Sequence, residues 1–444
     1  MKQKTITLTM VAILAPMLII PSKDDSNYNI LKLIVLLVAG MALLMLLLAS
    51  YKTLTLDKKD IIILIFMGLV FISAFLSSNI KLSILGEENR YEGLLMFATY
   101  IIIYLCSKKY FKYKNISVFI NIMFLVSMAI GILGIVQQYV NNMKLYPIFS
   151  KGICGTFGNS NFFGSFISLV LPISIAIFIL NGSKRCFILS LVMFFNMISS
   201  GTRSAWLAFA VIGLLGLIYL IKQRNKKYFL RTFILLILFV IIFTYLLNGF
   251  NFIIKKIRNT NEAKQENEIT IVQVEQTKTF TEMKIDIMKS EIEQAKETGS
   301  FNKMGSGRIE IWKLTLKLIA KKPIFGCGPD NLWEGLVEHC TKETYEYANR
   351  TQVAIDKAHN EYLQIAATIG TPALICYLIF ITIILLPKMK LFLKDNKTFI
   401  ICLSIISYMV QAFFNISTIG VAPLFWMMLG LIDNKEFMSN FNNI

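Results

Sequence analysis

Long apolar runs alternate with short polar loops along most of this chain. A helix needs about 20 mostly apolar residues to cross a hydrocarbon core of roughly 30 Å, and about twelve runs approach that length. The pattern therefore predicts an all-α polytopic membrane protein with about twelve transmembrane helices. The predicted transmembrane helices cover residues 5–21, 30–50, 60–77, 93–107, 116–140, 162–180, 186–199, 204–221, 230–248, 362–386, 398–414 and 416–432.

Basic residues concentrate in every second short loop, for example at 108–114 and 222–231. Short loops rich in lysine and arginine stay in the cytoplasm, so we expect a multi-pass protein of the cytoplasmic membrane with both termini inside. The N-terminal stretch has a charged start and an apolar core, but no small-x-small cleavage site precedes Pro21. We therefore expect it to be the first transmembrane helix rather than a signal peptide.

The pattern divides the chain into three parts: a nine-helix membrane region at 1–248, an extracytoplasmic loop domain at 249–361, and a three-helix membrane region with a short cytoplasmic tail at 362–444. The loop domain is predicted to be mostly helical. Apolar residues between Phe280 and Ala295 recur at helical spacing and predict an amphipathic helix, which could lie on the membrane surface, cap the site or be a solvated connector. Residues 308–321 predict a second helix, followed by a Pro-x-x-Gly-x-Gly turn.

Composition excludes some classes of function. The net charge of +18 suggests nucleic acid, but its placement in alternate loops fits membrane topology instead. The seven cysteines form no C-x-x-C pair and the chain has two histidines, so no metal site or cofactor is expected. Cys327 and Cys340 share the outer compartment and could form a disulfide, as could either with Cys154.

Arg308 stands at the predicted start of a helix, behind Gly305-Ser306-Gly307. Free backbone N–H groups and the helix dipole favour an anion there, and a guanidinium adds bidentate contacts to phosphate. Arg203 lies in the short connection between two transmembrane helices, where a charge is costly unless it is paired or functional. Each arginine could instead be a surface or snorkelling side chain.

His359 lies directly before a predicted transmembrane helix, at the outer membrane face. Histidine is the usual general base near neutral pH, and Asp356 or Glu361 could orient its ring. A lone histidine is more often structural, so the position alone leaves both roles open. Asn360 follows it and could contact a substrate.

Two other loops at the same predicted face carry candidate contacts. Asn159 and Asn161 offer neutral donors and acceptors suited to sugar hydroxyls, or they cap the following helix. Arg90, in the segment 86–93, could contact a glycan, or its charge could meet only water.

In this order, these segments resemble the O-antigen ligase and polymerase family, membrane glycosyltransferases of the GT-C type that assemble bacterial cell-surface polysaccharides. The resemblance runs from about Gly86 to Gly430. It is carried by G-x-x-x-R-Y-E-G at 86–93, G-I-x-Q ending at Gln137, G-T-F-G-N-x-N at 155–161, T-R-S at 202–204, R-x-x-x-W at 308–312, P-x-x-G-x-G at 323–328 and H-N-x-Y-L at 359–363.

The resemblance implies a metal-independent, inverting glycosyltransferase that takes its glycan from an undecaprenyl-diphosphate-linked donor in the membrane lipid. It implies that Arg203 and Arg308 hold the diphosphate and that His359 deprotonates or positions the acceptor hydroxyl. The acceptor is left open, since the family includes O-antigen ligases, polysaccharide polymerases and O-oligosaccharyltransferases that use lipid, glycan or protein hydroxyls. The polar insert at 255–303 is not a mark of the family.

Two other classes of protein fit part of the pattern. Asp24 and Asp25, in the first outer loop, resemble the acidic pair of metal-dependent membrane glycosyltransferases, although no second acidic cluster of ligand spacing follows. A secondary transporter or flippase would also have about twelve transmembrane helices. Transporter sites lie near the membrane midplane, however, whereas the polar residues of this chain gather at one face.

Overall fold

The computed structural model describes residues 11–19, 27–50, 55–88, 90–111, 113–140, 153–265, 307–351 and 353–435. Within these ranges the regular secondary structure is helical, and no strand is present. The helices are α1 (Asn27–Ala49), α2 (Lys58–Phe75), α3 (Ile80–Leu85), α4 (Leu94–Tyr110), α5 (Tyr113–Val140), α6 (Ser160–Asn181), α7 (Lys184–Ser199), α8 (Arg203–Gln223), α9 (Lys226–Gln265), α10 (Arg308–Lys321), α11 (Leu332–His339), α12 (Thr341–Thr351), α13 (Glu361–Thr368), α14 (Thr371–Phe392), α15 (Asn396–Ala412) and α16 (Ala422–Asp433).

Among the described residues, 6 helices are long and apolar enough to cross a membrane: α1, α5, α6, α8, α9 and α14. The shorter helices α15 and α16 are also apolar. These helices confirm the prediction of an all-α, multi-pass membrane protein. The count of twelve, the domain boundaries and the cytoplasmic termini stay predictions.

The expected helix at 308–321 is confirmed as α10. The helix expected between Phe280 and Ala295, most of the insert at 255–303, and the pair Asp24 and Asp25 lie outside the described residues. The first predicted transmembrane helix is wrong at its C-terminal end, because Ala15–Leu18 form a 3-10 helix with Pro16 in its first turn. The last predicted helix begins at Ala422 rather than at 416.

The predicted transmembrane helix at 362–386 is also wrong, because the chain breaks at Gly370 between α13 and α14. The turn at 323–328 packs against this break. The backbone N–H of Cys327 donates to the Ala367 carbonyl at 3.1 Å, and that of Thr371 donates to the Pro323 carbonyl at 2.8 Å. These bonds replace the helical bonds that a continuous helix would make.

Glycine is required on both sides of this contact. Gly326 and Gly370 have φ angles of 63° and 111°, in the region that favours glycine. A Cβ atom on Gly326 would lie 2.4 Å from the Thr368 carbonyl carbon, and one on Gly370 would lie 2.0 Å from the Ile324 oxygen. The turn can therefore approach the break only without side chains at these positions.

The largest hydrophobic core lies among the membrane helices, and α6, α15 and α16 are the most buried of them. Buried polar contacts tie α6 to α15 and to the loop after it. Ser404 Oγ donates to the Leu169 carbonyl at 2.6 Å, and Asn415 Nδ2 donates to Ser165 Oγ at 2.9 Å. The helices α10 to α13 share a second hydrophobic core that includes Leu318, Leu332 and Leu336.

All seven cysteines are free thiols. The disulfide considered for Cys327 with Cys340, or for either with Cys154, is therefore absent. Cys327 Sγ instead lies 3.0 Å from the Asn331 carbonyl oxygen, inside the second core.

Candidate active site

Arg203 and Arg308 each occupy the first position of a helix. Arg203 follows the N-cap residue Thr202 of α8, and Arg308 follows Gly307, whose φ of 74° lets the chain turn into α10. Neither cap residue provides a side-chain hydrogen bond to its helix. Each arginine thus stands beside backbone N–H groups and the positive end of a helix dipole.

The two arginines line one open pocket of about 330 Å³. They share it with Ser204 and Leu207 of α8, Ile309 and Trp312 of α10, and Phe414 after α15. Arg203 and Arg308 are distant in sequence, so the fold has brought together two cations that the sequence placed in separate segments. Two arginines that share a pocket and begin two helices suit a ligand with adjacent anionic groups.

Trp312 connects this pocket to the segment that carries His359. Its Nε1 donates to the Ala358 carbonyl at 2.9 Å. Its ring also packs against Phe413 and Phe414, with centroids 5.7 and 6.1 Å apart. One side chain therefore fixes the spacing between the arginine pocket and His359.

His359 has a φ of 51°, an unusual left-handed conformation for a histidine. Burial lowers the pKa of its ring to about 3, and the positive charges of Lys357 and Arg308 act in the same direction. His359 is therefore neutral near pH 7 in this structure, and a neutral imidazole has a ring nitrogen free to accept a proton.

The expectation that Asp356 or Glu361 orients the ring is wrong. The Nδ1 atom of His359 is buried and has no hydrogen-bond partner among the described residues. Asp356 accepts instead from Lys357 at 2.8 Å and from Arg90 at 3.3 Å, and Glu361 accepts from Tyr377 at 2.9 Å.

Side chains on the C-terminal side of His359 hold its backbone. Asn360 Oδ1 accepts from the N–H groups of Tyr362 and Leu363, both at 3.0 Å, and caps α13. Gln364 Oε1 accepts from the Ala358 N–H at 2.8 Å. These bonds stabilise the left-handed turn at His359. The described contacts of Asn360 Oδ1 are thus to its own helix.

Arg90 is fully buried between three loops. Its Nη2 lies 2.8 Å from Asp330 Oδ1, and the same nitrogen donates to the Asp356 carbonyl at 2.9 Å. Burial alone would raise the pKa of Asp356, but Lys357 and Arg90 outweigh it and hold that pKa below its usual range. Arg90 thus ties the segment 86–93 to the segment before His359, and the glycan contact expected of it stays a prediction.

Replacing Arg90 with methionine should destabilise the folded protein by about 3 to 5 kcal/mol, because Asp330 would be left as an unpaired buried charge. Asp330→Asn should destabilise the folded protein less, since Arg90 would still be paired with Asp356. The double variant should recover part of the loss. Thermal unfolding in detergent measures all three, and a wild-type midpoint for Arg90→Met would contradict this role.

Asn159 and Asn161 lie beside the N-terminus of α8. Asn159 Oδ1 accepts from the Asn161 N–H at 2.8 Å and caps α6, which is the capping alternative. Thr202 Oγ1 donates to the Ser160 carbonyl at 2.8 Å, so the G-T-F-G-N-x-N segment contacts the residue before Arg203. A glycan contact by either asparagine stays a prediction.

Sequence reasoning did not single out Asp330, Gln364 or Glu92 as functional residues. Asp330 follows the Pro-x-x-Gly-x-Gly turn and Glu92 belongs to R-Y-E-G, so their place beside two motifs was a usable signal. Gln364 carries no such signal, because its contact with Ala358 depends on the left-handed turn at His359.

An open apolar groove of about 530 Å³ runs along α14 and α15. Tyr362, Phe413 and Phe414 line one part of it, and aliphatic side chains of both helices, such as Leu386 and Ile406, line the rest. Phe414 also lines the arginine pocket, so the polar pocket and the apolar groove share a wall.

The chain is similar to one known protein family. The family model described as O-antigen ligase matches residues 188–378, from α7 to α14, and this match confirms the family resemblance. No curated protein matches the chain. The matched segment includes Arg203, Arg308 and His359, and it relates the chain to the membrane enzymes that transfer glycans in the assembly of O-antigen.

Proposed function

We propose that this protein transfers a glycan from a lipid-diphosphate-linked donor to a hydroxyl acceptor at the outer face of the cytoplasmic membrane. Arg203 and Arg308 bind the diphosphate, and His359 is the general base. The donor is an undecaprenyl-diphosphate-linked glycan, as the family resemblance implies. The reaction is an inverting displacement without a metal ion.

The shared pocket of Arg203 and Arg308 is the observation that supports this proposal most strongly. The lipid diphosphate is a good leaving group only if the negative charge that develops on it is stabilised, and preorganised cations stabilise such charge effectively. The two guanidinium groups and two helix N-termini supply that charge from fixed positions. Since guanidinium forms paired hydrogen bonds to phosphate, the arrangement fits a diphosphate better than a single carboxylate.

His359 lies next in the chain to Ala358, whose carbonyl accepts from the pocket residue Trp312. In the proposed reaction the acceptor oxygen attacks the anomeric carbon and forms a new glycosidic bond. The bond from that carbon to the diphosphate oxygen breaks, and its electron pair leaves with the lipid diphosphate. The acceptor proton passes to the accessible nitrogen of His359, because the Nδ1 atom is buried.

The apolar groove along α14 and α15 is suited to the polyprenyl chain of the donor. Its wall at Phe414 is also a wall of the arginine pocket, so a lipid could lie in the groove with its diphosphate at the arginines. The polyprenyl chain is apolar and gains free energy by leaving water, but it gains this free energy in the lipid as well as in the groove. The groove therefore serves to orient the donor.

The dependence of the rate on pH should reflect the lowered pKa of His359. In the free enzyme the ring stays neutral down to about pH 3, so kcat/KM should stay level as the pH falls through the usual histidine pKa of about 6.5. In the donor complex the diphosphate offsets the charge of Arg308, so the acid limb of kcat should lie at higher pH than that of kcat/KM. Steady-state rates from pH 5 to 8 test this; a fall of kcat/KM centred near pH 6.5 would contradict it.

The products of the reaction test the proposed function. Purified protein in detergent would receive a lipid-diphosphate-linked oligosaccharide and EDTA, with and without candidate acceptors, and the products would be resolved by gel and mass spectrometry. A ladder of longer lipid-linked chains would identify a polymerase, and a single transfer to an added acceptor would identify a ligase or an O-oligosaccharyltransferase. Transfer that EDTA abolishes would refute the metal-independent mechanism.

A further inference from the structure

A small cavity with a few polar lining residues lies where the segment 86–93 meets α13. It holds about 30 Å³ and is lined by Arg90, Glu92, Asp330, Glu361, Gln364 and Tyr377, among other residues. One water molecule needs roughly 10 to 15 Å³ by this kind of measure, so the cavity has room for one or two. It is separate from the arginine pocket, since the two share no lining residue.

Two buried polar atoms of residues that line this cavity have no hydrogen-bond partner among the described residues: Glu92 Oε2 and Gln364 Nε2. The other polar atom of each side chain is engaged. Glu92 Oε1 accepts from the Tyr100 hydroxyl at 2.6 Å, and Gln364 Oε1 accepts from the Ala358 N–H at 2.8 Å. A buried polar atom without a partner is costly, so a bridging molecule between them is expected.

The charges around the cavity leave Glu92 without a cationic partner. Arg90 is the one cation among the described lining residues, and it is paired with Asp330 and Asp356. Burial raises the pKa of Glu92 to about 8, and the hydrogen bond from Tyr100 and the nearby Ser417 hydroxyl lower it only in part. Burial also raises the pKa of Glu361, to about 7, against the hydrogen bonds of Tyr377 and Tyr408. Both oxygens of Glu361 accept from tyrosine hydroxyls, whereas Glu92 Oε2 has no partner among the described residues, so Glu92 is the better placed of the two carboxyls to hold a proton.

We propose that a water molecule in this cavity joins the carboxyl of Glu92 to the amide of Gln364, and that this link holds the backbone beside His359 in place. The Glu92 O–H and the Gln364 N–H both donate to the water oxygen. The hydroxyls of Thr368 and Ser417, which line the same cavity, accept from the water. The Gln364 amide is thereby fixed with its oxygen on the Ala358 N–H, so Glu92 and Gln364 are positioning residues for the general base.

Ionisation of Glu92 should weaken this link. It removes the O–H donor and places a second negative charge beside Glu361 in a small, mostly apolar cavity, where such a charge is costly. The titratable and charged groups that face Glu92 from the surrounding elements are Arg90, Tyr100, Asp330, Glu361, Tyr377 and Tyr408. The effect of this link on catalysis rests on the proposed function. The protonation of Glu92 does not, so it can be measured separately.

The test combines infrared spectra with steady-state kinetics. The carbonyl stretch of protonated carboxylic acids should be present in the wild-type protein at pH 7, should fade as the pH rises through about 8, and should be weaker in Glu92→Gln, where only Glu361 can still contribute to it. The exposed glutamate Glu346 provides the control, since Glu346→Gln should leave that band in place. A spectrum that is the same for wild type and Glu92→Gln would overturn the proposal whether or not the protein transfers glycans.

The kinetic arm tests positioning. The wild-type kcat should fall above about pH 8, and Glu92→Gln, which keeps a donor and cannot ionise, should retain activity at pH 7 and lose that alkaline fall. Glu92→Leu and Gln364→Met should each lower kcat about tenfold with the donor KM unchanged, because each breaks one hydrogen-bonded link. Equal kcat values for Glu92→Gln and Glu92→Leu, or an alkaline fall that persists in Glu92→Gln, would overturn the positioning role.

Discussion

Replacing Arg308 with lysine should lower turnover by about tenfold to a hundredfold, and Arg203→Lys should do the same. Both arginines line one pocket and begin a helix, and a guanidinium can form paired hydrogen bonds to a phosphate. Lysine keeps the positive charge but loses the planar fork. Alanine at either position should cost about 10²- to 10³-fold, the usual loss when one preorganised donor is removed from a developing anion.

The double variant Arg203→Lys/Arg308→Lys shows whether the two residues serve one ligand. If both hold one diphosphate, the two losses should not simply add, because the first replacement already displaces the ligand from the second arginine. Arg350→Lys is a matched control in the same outer segment, since its side chain is 59% exposed and pairs with Glu310. Near-normal rates for both single variants would contradict diphosphate binding in this pocket.

Replacing His359 with asparagine should lower turnover by about 10²- to 10⁴-fold while donor binding is kept, since a general base acts in the chemical step. Asparagine is preferable to alanine here because it tolerates the left-handed backbone, whereas alanine would add strain at a φ of 51°. The measurements are the transfer rate and the affinity for a lipid diphosphate in the same preparation.

His339, the other histidine of the chain, supplies the control for this prediction. His339→Asn should leave the transfer rate near that of the wild type. If His359→Asn transfers at the wild-type rate, His359 is not the base. If it instead fails to bind the lipid diphosphate, the residue acts in donor binding and the division of roles between histidine and arginines is wrong.

The positions of most helices could be predicted from the sequence, because long apolar runs with polar flanks are typical of membrane-spanning helices. The break between α13 and α14 could not be predicted in the same way. Residues 362–386 form an almost uninterrupted apolar run, and the break depends on a contact with the turn at 323–328. Gly370 and Pro372 were visible in the run, but only the packed turn explains why the chain bends there.

The candidate site, like the fold, could be predicted only in part from the sequence. Arg203 and Arg308 could be selected as candidates from the sequence, because a charge beside the membrane is costly unless it is paired or functional and a helix start favours an anion. The roles of Arg90 and Gln364 could not, because they depend on partners in other segments, as the pairing of Arg90 with Asp330 shows. A sequence pattern shows where a residue is energetically costly within its own segment, whereas a positioning role depends on contacts between segments.

The most direct measurement follows one donor molecule in proteoliposomes that contain the purified protein and an acceptor. It scores release of free lipid diphosphate against movement of the intact glycolipid across the bilayer. We expect the wild-type protein to release lipid diphosphate in step with glycan transfer, and His359→Asn to release almost none. Movement of the intact glycolipid without any release, unchanged in His359→Asn, would contradict glycosyl transfer and identify the protein as a transporter.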